Sequence, residues 1–578
     1  MARWIEPLGW HLQVYMRPDQ IVESAAMLKR IPVPLVFDHM GQLGPFGTAH
    51  PAYGVLRSLL DGGRSWVKLS GAYLNLTAGP VGTWTKPRSS TCYWSGHQTS
   101  VCGTASSSRI LTRCTGSPGY EARCISLAAR PLLRRVRMRV WLLAVSVVCL
   151  VVPMAAQSPK GAAPQAPGRV VAAQPGDPLP RVRPEAVCLS SQRLAEIGKV
   201  LNADIAANRL PGAVLAIARH GKLVYFEAFG YRDKATNASM TTDAIFNIAS
   251  MTKPLTTVAA LGLLEQGKLS IDDPLAKYLP QFARMQVAVL NPAGDAIVDR
   301  VPATRQITLQ DLMRHTSGLI YGNRGNTAVH KLYPSGSAAL ATGMTPTQFA
   351  NTLGSLPLLH QPGAVWDYGF GLDLTGVVVE TIEKRSLGEV MQARIFGPLG
   401  MTSTGFMIPA SHASRYATVL PIDPATGQPQ SMDRDLTKPL TMECGGGCAH
   451  STAGDYMRFV QMLLNKGVYK DTRVLGRKTV EYMLSNQLGP EVRNLIANAD
   501  PTRADYGFGL GVAVRTTPGI ARTLGSVGDF SWPGSSGTNW WADPKEDLAV
   551  VFMAHTPGAM RWRYRQVINQ LVEQAIVD

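Results

Sequence analysis

Ser250-Met251-Thr252-Lys253-Pro254 constrains this chain more than any other stretch. Proline lacks an N–H, which is harmless only in a first helical turn, so a helix must open near Ser250. Leu255, Val258, Ala259, Leu263 and Leu264 carry that helix onward. Three residues along a helix make nearly one turn, which brings the Lys253 ammonium within reach of the Ser250 hydroxyl. A serine is a poor nucleophile until a neighbouring group keeps its proton mobile, and Ser-x-x-Lys is one arrangement that does so. At the helix start the serine also sits where developing negative charge is favoured. Serine and lysine are common, so the tetrad by itself also fits an N-cap serine beside a solvated lysine.

The net charge of +17 resembles a nucleic-acid signal, but its distribution argues against one. Between 81 and 137 nine basic residues, from Lys86 to Arg137, face the single acid Glu121 and supply about half of the excess. That stretch has no helical or strand period, and its Cys92, Cys102, Cys114 and Cys124 lack paired C-x-x-C spacing. It is expected to be disordered or non-native rather than a zinc module. Val140 to Val152 is then a short apolar run, with Arg134, Arg135, Arg137 and Arg139 before it and Ala155-Ala156-Gln157 after it. Residues 138–157 therefore read as a secretory signal peptide, with the functional protein expected to begin at or just before Met138 and to be periplasmic or secreted. Only if residues 140–155 are retained as an anchor is contact with a membrane expected. Residues 158–187, rich in Pro, Ala and Gln, read as a linker.

Residues 1–80 alternate strand and helix: strands over 9–15, 33–39 and 65–71, helices over 20–31 and 51–60. Gly9-Trp10-His11-Leu12-Gln13, Phe37-Asp38-His39-Met40-Gly41 and Trp66-Val67-Lys68-Leu69-Ser70-Gly71 resemble the TIM-barrel amidohydrolase family, in particular its lactonase-like members. The resemblance implies active-site roles for His11 and His39 in an intact homologue. An eight-stranded barrel cannot close from these strands, and the family's early His-x-His strand and late aspartate strand have no match. The segment is expected to be an inactive, truncated βα fragment fused to the next domain.

Residues 188–578 are long enough for one large domain or two interleaved subdomains. A helix is expected over 201–209, and His220-Gly221 between two apolar runs signals a hairpin. Strands are expected over 525–532, 537–543 and 548–554, with a closing helix over 561–577. Strands at both ends of a helical middle imply an α+β fold with one sheet assembled from both ends of the chain. The ordered motifs make the same case: Leu210-Pro211-Gly212-Ala213, Ser250-Met251-Thr252-Lys253, Asp311-Leu312-Met313-Arg314-His315-Thr316-Ser317-Gly318, Trp366-Asp367-Tyr368, Gly397-Pro398-Leu399-Gly400-Met401, Ser451-Thr452-Ala453-Gly454-Asp455-Tyr456 and Trp532-Pro533-Gly534. Together they resemble the serine β-lactamase and penicillin-binding protein superfamily, specifically its class C-like carboxylesterase branch. This resemblance implies a β-lactamase-like antiparallel sheet flanked by helices, with a mainly helical subdomain.

It also implies roles. Ser250 is the expected nucleophile, Lys253 keeps its proton mobile, and Tyr368 matches the tyrosine that acts as general base. A phenol with an ordinary pKa near 10 does this only beside cations such as Lys253. The oxyanion hole is expected at the N–H groups of Ser250 and Ser535, and the substrate cleft at Trp532, Gly534, Phe370 and Tyr321. Penicillin-hydrolysing relatives carry Tyr-x-Asn and Lys-Thr-Gly where this chain has Tyr368-Gly369-Phe370 and Trp532-Pro533-Gly534. The asparagine amide and lysine ammonium that would orient a lactam are absent, and Trp532 and Phe370 suit an uncharged ester. The expected activity is serine carboxylesterase chemistry on a small-molecule ester, without cofactor or metal. The alternatives are a β-lactamase or D-amino-acid-specific peptidase, and a non-hydrolytic, penicillin-binding-like sensor. His315 is expected to mark a helix stop and His555 to be structural. Cys444 and Cys448, across three glycines, are spaced for a tight disulfide that leaves Cys188 over.

Overall fold

The computed structural model describes residues 176–430 and 435–578, and ahead of them residues 12–14, 16, 18–33, 35–37, 50–62, 65–68 and four strands between 90 and 126. Two compact units result, Met1–Gln157 and Ser158–Asp578. His11, His39 and residues 138–157 lie outside the described residues. Among the described residues no helix is long and apolar enough to cross a membrane.

In the first unit Leu12–Val14, Leu35–Phe37 and Ser65–Lys68 are parallel neighbours, as the alternation of strand and helix requires. The single helix expected over 20–31 is two, Pro18–Glu23 and Ala25–Arg30, separated at Ser24. Ile21, Leu28, Leu35, Phe37, Leu56 and Leu60 form a core of their own. Within residues 81–137, expected to be disordered or non-native, four strands are described. Ser90–Ser95, Thr99–Thr104, Leu111–Thr115 and Arg123–Ser126 continue the same sheet as an antiparallel meander. Thr is the commonest residue of those strands, and its preference for extended backbone operates without an apolar period.

The second unit is built on an eight-stranded antiparallel sheet drawn from both ends of its chain. Its strands are β1 (Gly212–Arg219), β2 (Lys222–Asp233), β3 (Ala238–Ser239), β4 (Tyr506–Phe508), β5 (Ala513–Arg515), β6 (Phe530–Ser531), β7 (Asn539–Asp543) and β8 (Leu548–Ala554), in the order β3-β2-β1-β8-β7-β6-β5-β4. The β1–β2 turn is His220-Gly221 with φ of +52° and +66°, the left-handed pair that suits the twist of a two-residue hairpin. β1 pairs with β8 from Ala213↔Ala554 to Arg219↔Leu548, which closes the first strand onto the last.

Alternation along β1 assigns its two faces. Ala213, Leu215 and Ile217 pack with α1 (Ser191–Ala206) and the C-terminal helix, through Leu194, Leu201, Ile568 and Val572. Val214, Ala216 and Ala218 face the larger core. The first helix starts ten residues before the expected 201, where the Ser190 hydroxyl caps it by accepting from the Arg193 N–H at 3.3 Å. The larger core holds α2 (Thr252–Glu265), buried on all sides from Thr252 to Leu261. A helix apolar all round belongs in an interior, so Lys253 enters the interior with it. α3 (Gly371–Glu383) packs beside α2, α4 (Ala453–Leu464) lies on the sheet against β1, β7 and β8, and α5 (Met560–Glu573) closes the opposite face.

Candidate active site

Ser250 lies in a single 3₁₀ turn, Ala249–Met251, that runs into α2. Ala249 holds φ at +44°, a conformation unfavourable for a residue with a β-carbon. Three contacts fix it. Asn247 Oδ1 accepts from the Ala249 N–H at 2.9 Å, Thr252 Oγ1 donates to the Ala249 carbonyl at 2.7 Å, and Tyr456 OH donates to the Met251 carbonyl at 2.8 Å. The last contact gives the Ser451–Tyr456 motif its purpose: Thr452 caps α4 and Tyr456 holds the nucleophile turn.

Lys253 is completely buried. Its Nζ donates to the Gly446 carbonyl at 2.6 Å and to Tyr321 OH at 3.1 Å, and lies 3.5 Å from Ser250 Oγ. It stands 4.5 Å from the centroid of the Tyr368 ring. The three side chains singled out in the sequence are thus brought together by α2 and the turn before α3. The Tyr368 hydroxyl accepts from Trp532 Nε1 at 2.9 Å, so the indole orients the phenol. Arg324 lies on the Tyr368 ring as well, 5.2 Å from its centroid.

A buried cation needs compensation, and a buried carboxylate supplies it. Asp373, in the first turn of α3, accepts from the Gly446 N–H at 2.9 Å, Ser337 Oγ at 3.0 Å and Tyr321 OH at 3.1 Å. Burial raises its pKa, while the Lys253 charge and these donors pull it down. Burial and the Asp373 carboxylate push the Tyr321 phenol well above its usual value, so Tyr321 stays a proton donor to Asp373 and an acceptor from Lys253.

Two of the expected substrate contacts are buried rings behind Tyr368. Tyr321 is 4% exposed and Phe370 fully buried, with ring centroids 4.5 Å apart. Phe370 also packs on Tyr333 and Phe349, so both rings back the site and present almost no surface to a ligand. They follow Leu319-Ile320 and Gly369, whose segments are packed so closely that a β-carbon on Gly369 would lie 2.0 Å from the Leu319 carbonyl oxygen. Trp532, 3% exposed, reaches the site through its N–H.

The second expected oxyanion donor lies in a turn stitched to the nucleophile strand. Ser536 Oγ donates to the Asn247 carbonyl at 2.6 Å, and a β-carbon on Gly534 would lie 2.5 Å from the Ile248 oxygen. The Gly534 carbonyl accepts from Arg565 Nη2 at 2.8 Å and from the Gly537 N–H at 3.3 Å. In a trans peptide the N–H points opposite to the carbonyl, so the Ser535 N–H is turned away from Arg565. No hydrogen bond occupies it among the described residues, and Ser535 is exposed. Sheet pairing stops at Ser531, before Pro533, which has no N–H to give a ladder.

Both histidines behave as structural groups. His315, at φ +58° after the short helix Leu309–Met313, packs on Tyr368 at 4.8 Å, and burial with the Lys253 charge holds its pKa well below the ordinary value. His555 accepts from the Asn247 N–H at 3.1 Å and donates to the Ala417 carbonyl at 2.9 Å, with its pKa pushed down to about 4 by burial. Cys444 and Cys448 form a disulfide, and Cys188 is an exposed thiol. Among the described residues no three His, Cys, Asp or Glu side chains gather as a metal site.

Asp373, Gly446 and Arg565 were not singled out in the sequence. An acid among Leu372, Leu374, Val377 and Val378 was a signal for the first, since an apolar helix buries a charge only against a partner. A glycine carbonyl and a distant arginine carry no such signal.

An amidohydrolase family model matches residues 1–93, and a β-lactamase family model matches residues 197–572. Protein Rv1367c of Mycobacterium tuberculosis is 38% identical over 362 residues, covering 61% of this chain and 87% of the relative. Esterase EstB of Burkholderia gladioli is 27% identical over 395 residues, covering 64% and 93%. The solved structure of EstCE1, a hydrolase with promiscuous acyltransferase activity, superposes with a TM-score of 0.52 at 25% identity, covering 66% of this chain and 98% of the other. Matched over residues 197–572, which hold its sheet and its central helix, the chain belongs to the β-lactamase family.

Proposed function

We propose that the chain hydrolyses carboxylic esters through an acyl-enzyme on Ser250. The observation that carries this reading is the fully buried Lys253, whose ammonium stands 3.5 Å from Ser250 Oγ and 4.5 Å from the centre of the Tyr368 ring. The named esterase relative and the hydrolase EstCE1 support it. Ser250 Oγ attacks the ester carbonyl carbon as its proton passes to the Tyr368 oxygen, which enters the step as a phenolate beside the Lys253 ammonium. The resulting oxyanion is held by the N–H groups of Ser250 and Ser535. Collapse breaks the ester C–O bond, and the leaving alcohol takes the proton back from Tyr368. Water then attacks the acyl group by the same route, releasing the acid and restoring Ser250.

Trp532-Pro533-Gly534 offers no cation to a lactam carboxylate at that strand, which favours an ester over a β-lactam. A nitrophenyl ester and a chromogenic cephalosporin, each given to the wild type and Ser250→Ala, test the reading. Ester turnover lost in the variant is the expected result. Preferential cephalosporin cleavage would replace it with lactamase chemistry, and a burst without turnover with a sensor. The apolar run at 138–157 supports export of the second unit. N-terminal sequencing of the secreted product checks this, and a mature protein that retains residues before Met138 would refute it.

A further inference from the structure

The loop Cys444-Gly445-Gly446-Gly447-Cys448 is closed on itself by a disulfide whose two sulfur-bearing residues are fully buried, with Cα atoms 5.2 Å apart. Its middle residue serves both charges of the site. The Gly446 carbonyl accepts from Lys253 Nζ at 2.6 Å, and the Gly446 N–H donates to Asp373 Oδ1 at 2.9 Å. One residue earlier, the Gly445 carbonyl accepts from Thr256 Oγ1 at 2.7 Å, on the next turn of α2. The approach is close: a β-carbon on Gly446 would lie 2.2 Å from Asp373 Oδ2, and one on Gly445 would lie 2.7 Å from the Leu372 carbonyl oxygen. Three consecutive glycines have no side chains with which to anchor such a loop, and each adds backbone freedom. The cross-link supplies the missing restraint.

We propose that the Cys444–Cys448 disulfide is a positioning element for the Lys253 amine, so that full turnover requires its oxidised form. The inference rests on the acyl-enzyme reading of Ser250 and Lys253. A dithiol that enters the loop is oxidised to its own disulfide, and the two electrons and two protons it gives up convert the bridge to two thiols. Two thiol sulfurs in van der Waals contact stand ~3.5–4 Å apart, against about 2.05 Å when bonded. Both sit in closed packing, so the loop widens by moving its glycines, and the Gly446 carbonyl moves with them. Lys253 then settles on Tyr321 and Asp373 instead of facing Ser250. A displacement of about 1 Å at a reacting group costs on the order of a hundredfold in rate. The loop acts through the Lys253 amine, so the loss is expected in kcat with KM nearly unchanged.

The test follows nitrophenyl ester turnover by the full chain before and after treatment with a dithiol, with the bridge scored by the mass of the alkylated peptide spanning residues 444–448. Cys444→Ser and Cys448→Ser break the bridge without a reductant, and circular dichroism reports their folding. The expected result is a loss in kcat of ~10- to 100-fold, with KM within about threefold. Reoxidation of the dithiol-treated wild type restores the rate. Bridge-free protein that turns over within about threefold of the bridged form overturns the proposal, and the dithiol arm decides the matter where a serine variant does not fold. Failure of the underlying reading shows separately, as activity retained by Ser250→Ala with the bridge intact.

Discussion

Lys253 is completely buried, so its charge rests on three oxygens and one carboxylate. Removing one member of a buried charge pair typically costs about 3–5 kcal/mol, because the other charge is left uncompensated. Asp373→Asn keeps the shape and much of the hydrogen bonding while deleting the charge. We expect its melting temperature to fall by several degrees and kcat to fall at least tenfold, both measurable on one preparation. Lys253→Met removes the amine and leaves Asp373 without its compensating charge, so its melting temperature is expected to fall as for Asp373→Asn, and kcat by about three orders of magnitude or more. Ser250, Lys253 and Tyr368 were legible in the sequence because each stands in a short motif. Asp373 was not, because its partners Ser337 and Gly446 lie 36 and 73 residues away along the chain. Phe370 was read as a substrate contact from its place in the Tyr368-Gly369-Phe370 motif, and a motif position does not say which way a ring faces.

The turn from Gly534 to Thr538 joins two elements that must agree to within a few tenths of an ångström: the end of β6 and the strand before Ser250. Gly534→Ala would place a methyl 2.2 Å from Thr538 Oγ1 and 2.5 Å from the Ile248 carbonyl oxygen, and the second neighbour is backbone. The turn then lifts off the nucleophile strand. Since one lost oxyanion donor typically costs about 10²–10³ in rate, a fall in kcat of that order is expected, read by steady-state kinetics. Arg565→Lys tests the other side of the same peptide. Lysine retains a charge for Asp500, 3.2 Å from the guanidinium, but loses the second N–H that reaches the Gly534 carbonyl. A smaller loss in kcat, ~10-fold, is expected, with the shift in KM under threefold. At this scale the sequence located every strand and helix of the second unit that it attempted, with errors at their ends. β6 is two residues where eight were expected, because the Gly-rich approach at 525–528 and Pro533 do not hold a ladder. α1 begins early because its Ser190 cap and its Leu194 and Ile197 contacts to the sheet outweigh the weak period that was read.

Across the second unit the last strand delivers His555 to the nucleophile turn, so the closure of the sheet and the order of the site are one event. Its neutral ring is required: Nε2 accepts from the Asn247 N–H and Nδ1 donates to the Ala417 carbonyl. Protonation would set two N–H donors against each other. The pKa is held at about 4 in the folded chain against 6.5 ordinarily, so between these values the unfolded chain binds the extra proton. Stability from this group is therefore fully present above pH 6.5 and drains away as pH falls toward 4, by up to ~3 kcal/mol. His315, depressed by burial and by Lys253, acts in the same sense. Glu380 and Glu573, raised to about 7 by burial, act in the opposite sense, losing stability as pH rises toward 7. The total slope mixes these, and the difference between wild type and His555→Gln isolates one. Glutamine offers an acceptor and a donor without titrating, so the variant is expected to melt lower at pH 7.5. The gap between the two proteins should then narrow steadily as pH falls from 6.5 to 4. A gap that stays constant over that range would show that His555 does not couple protonation to the closure of the sheet.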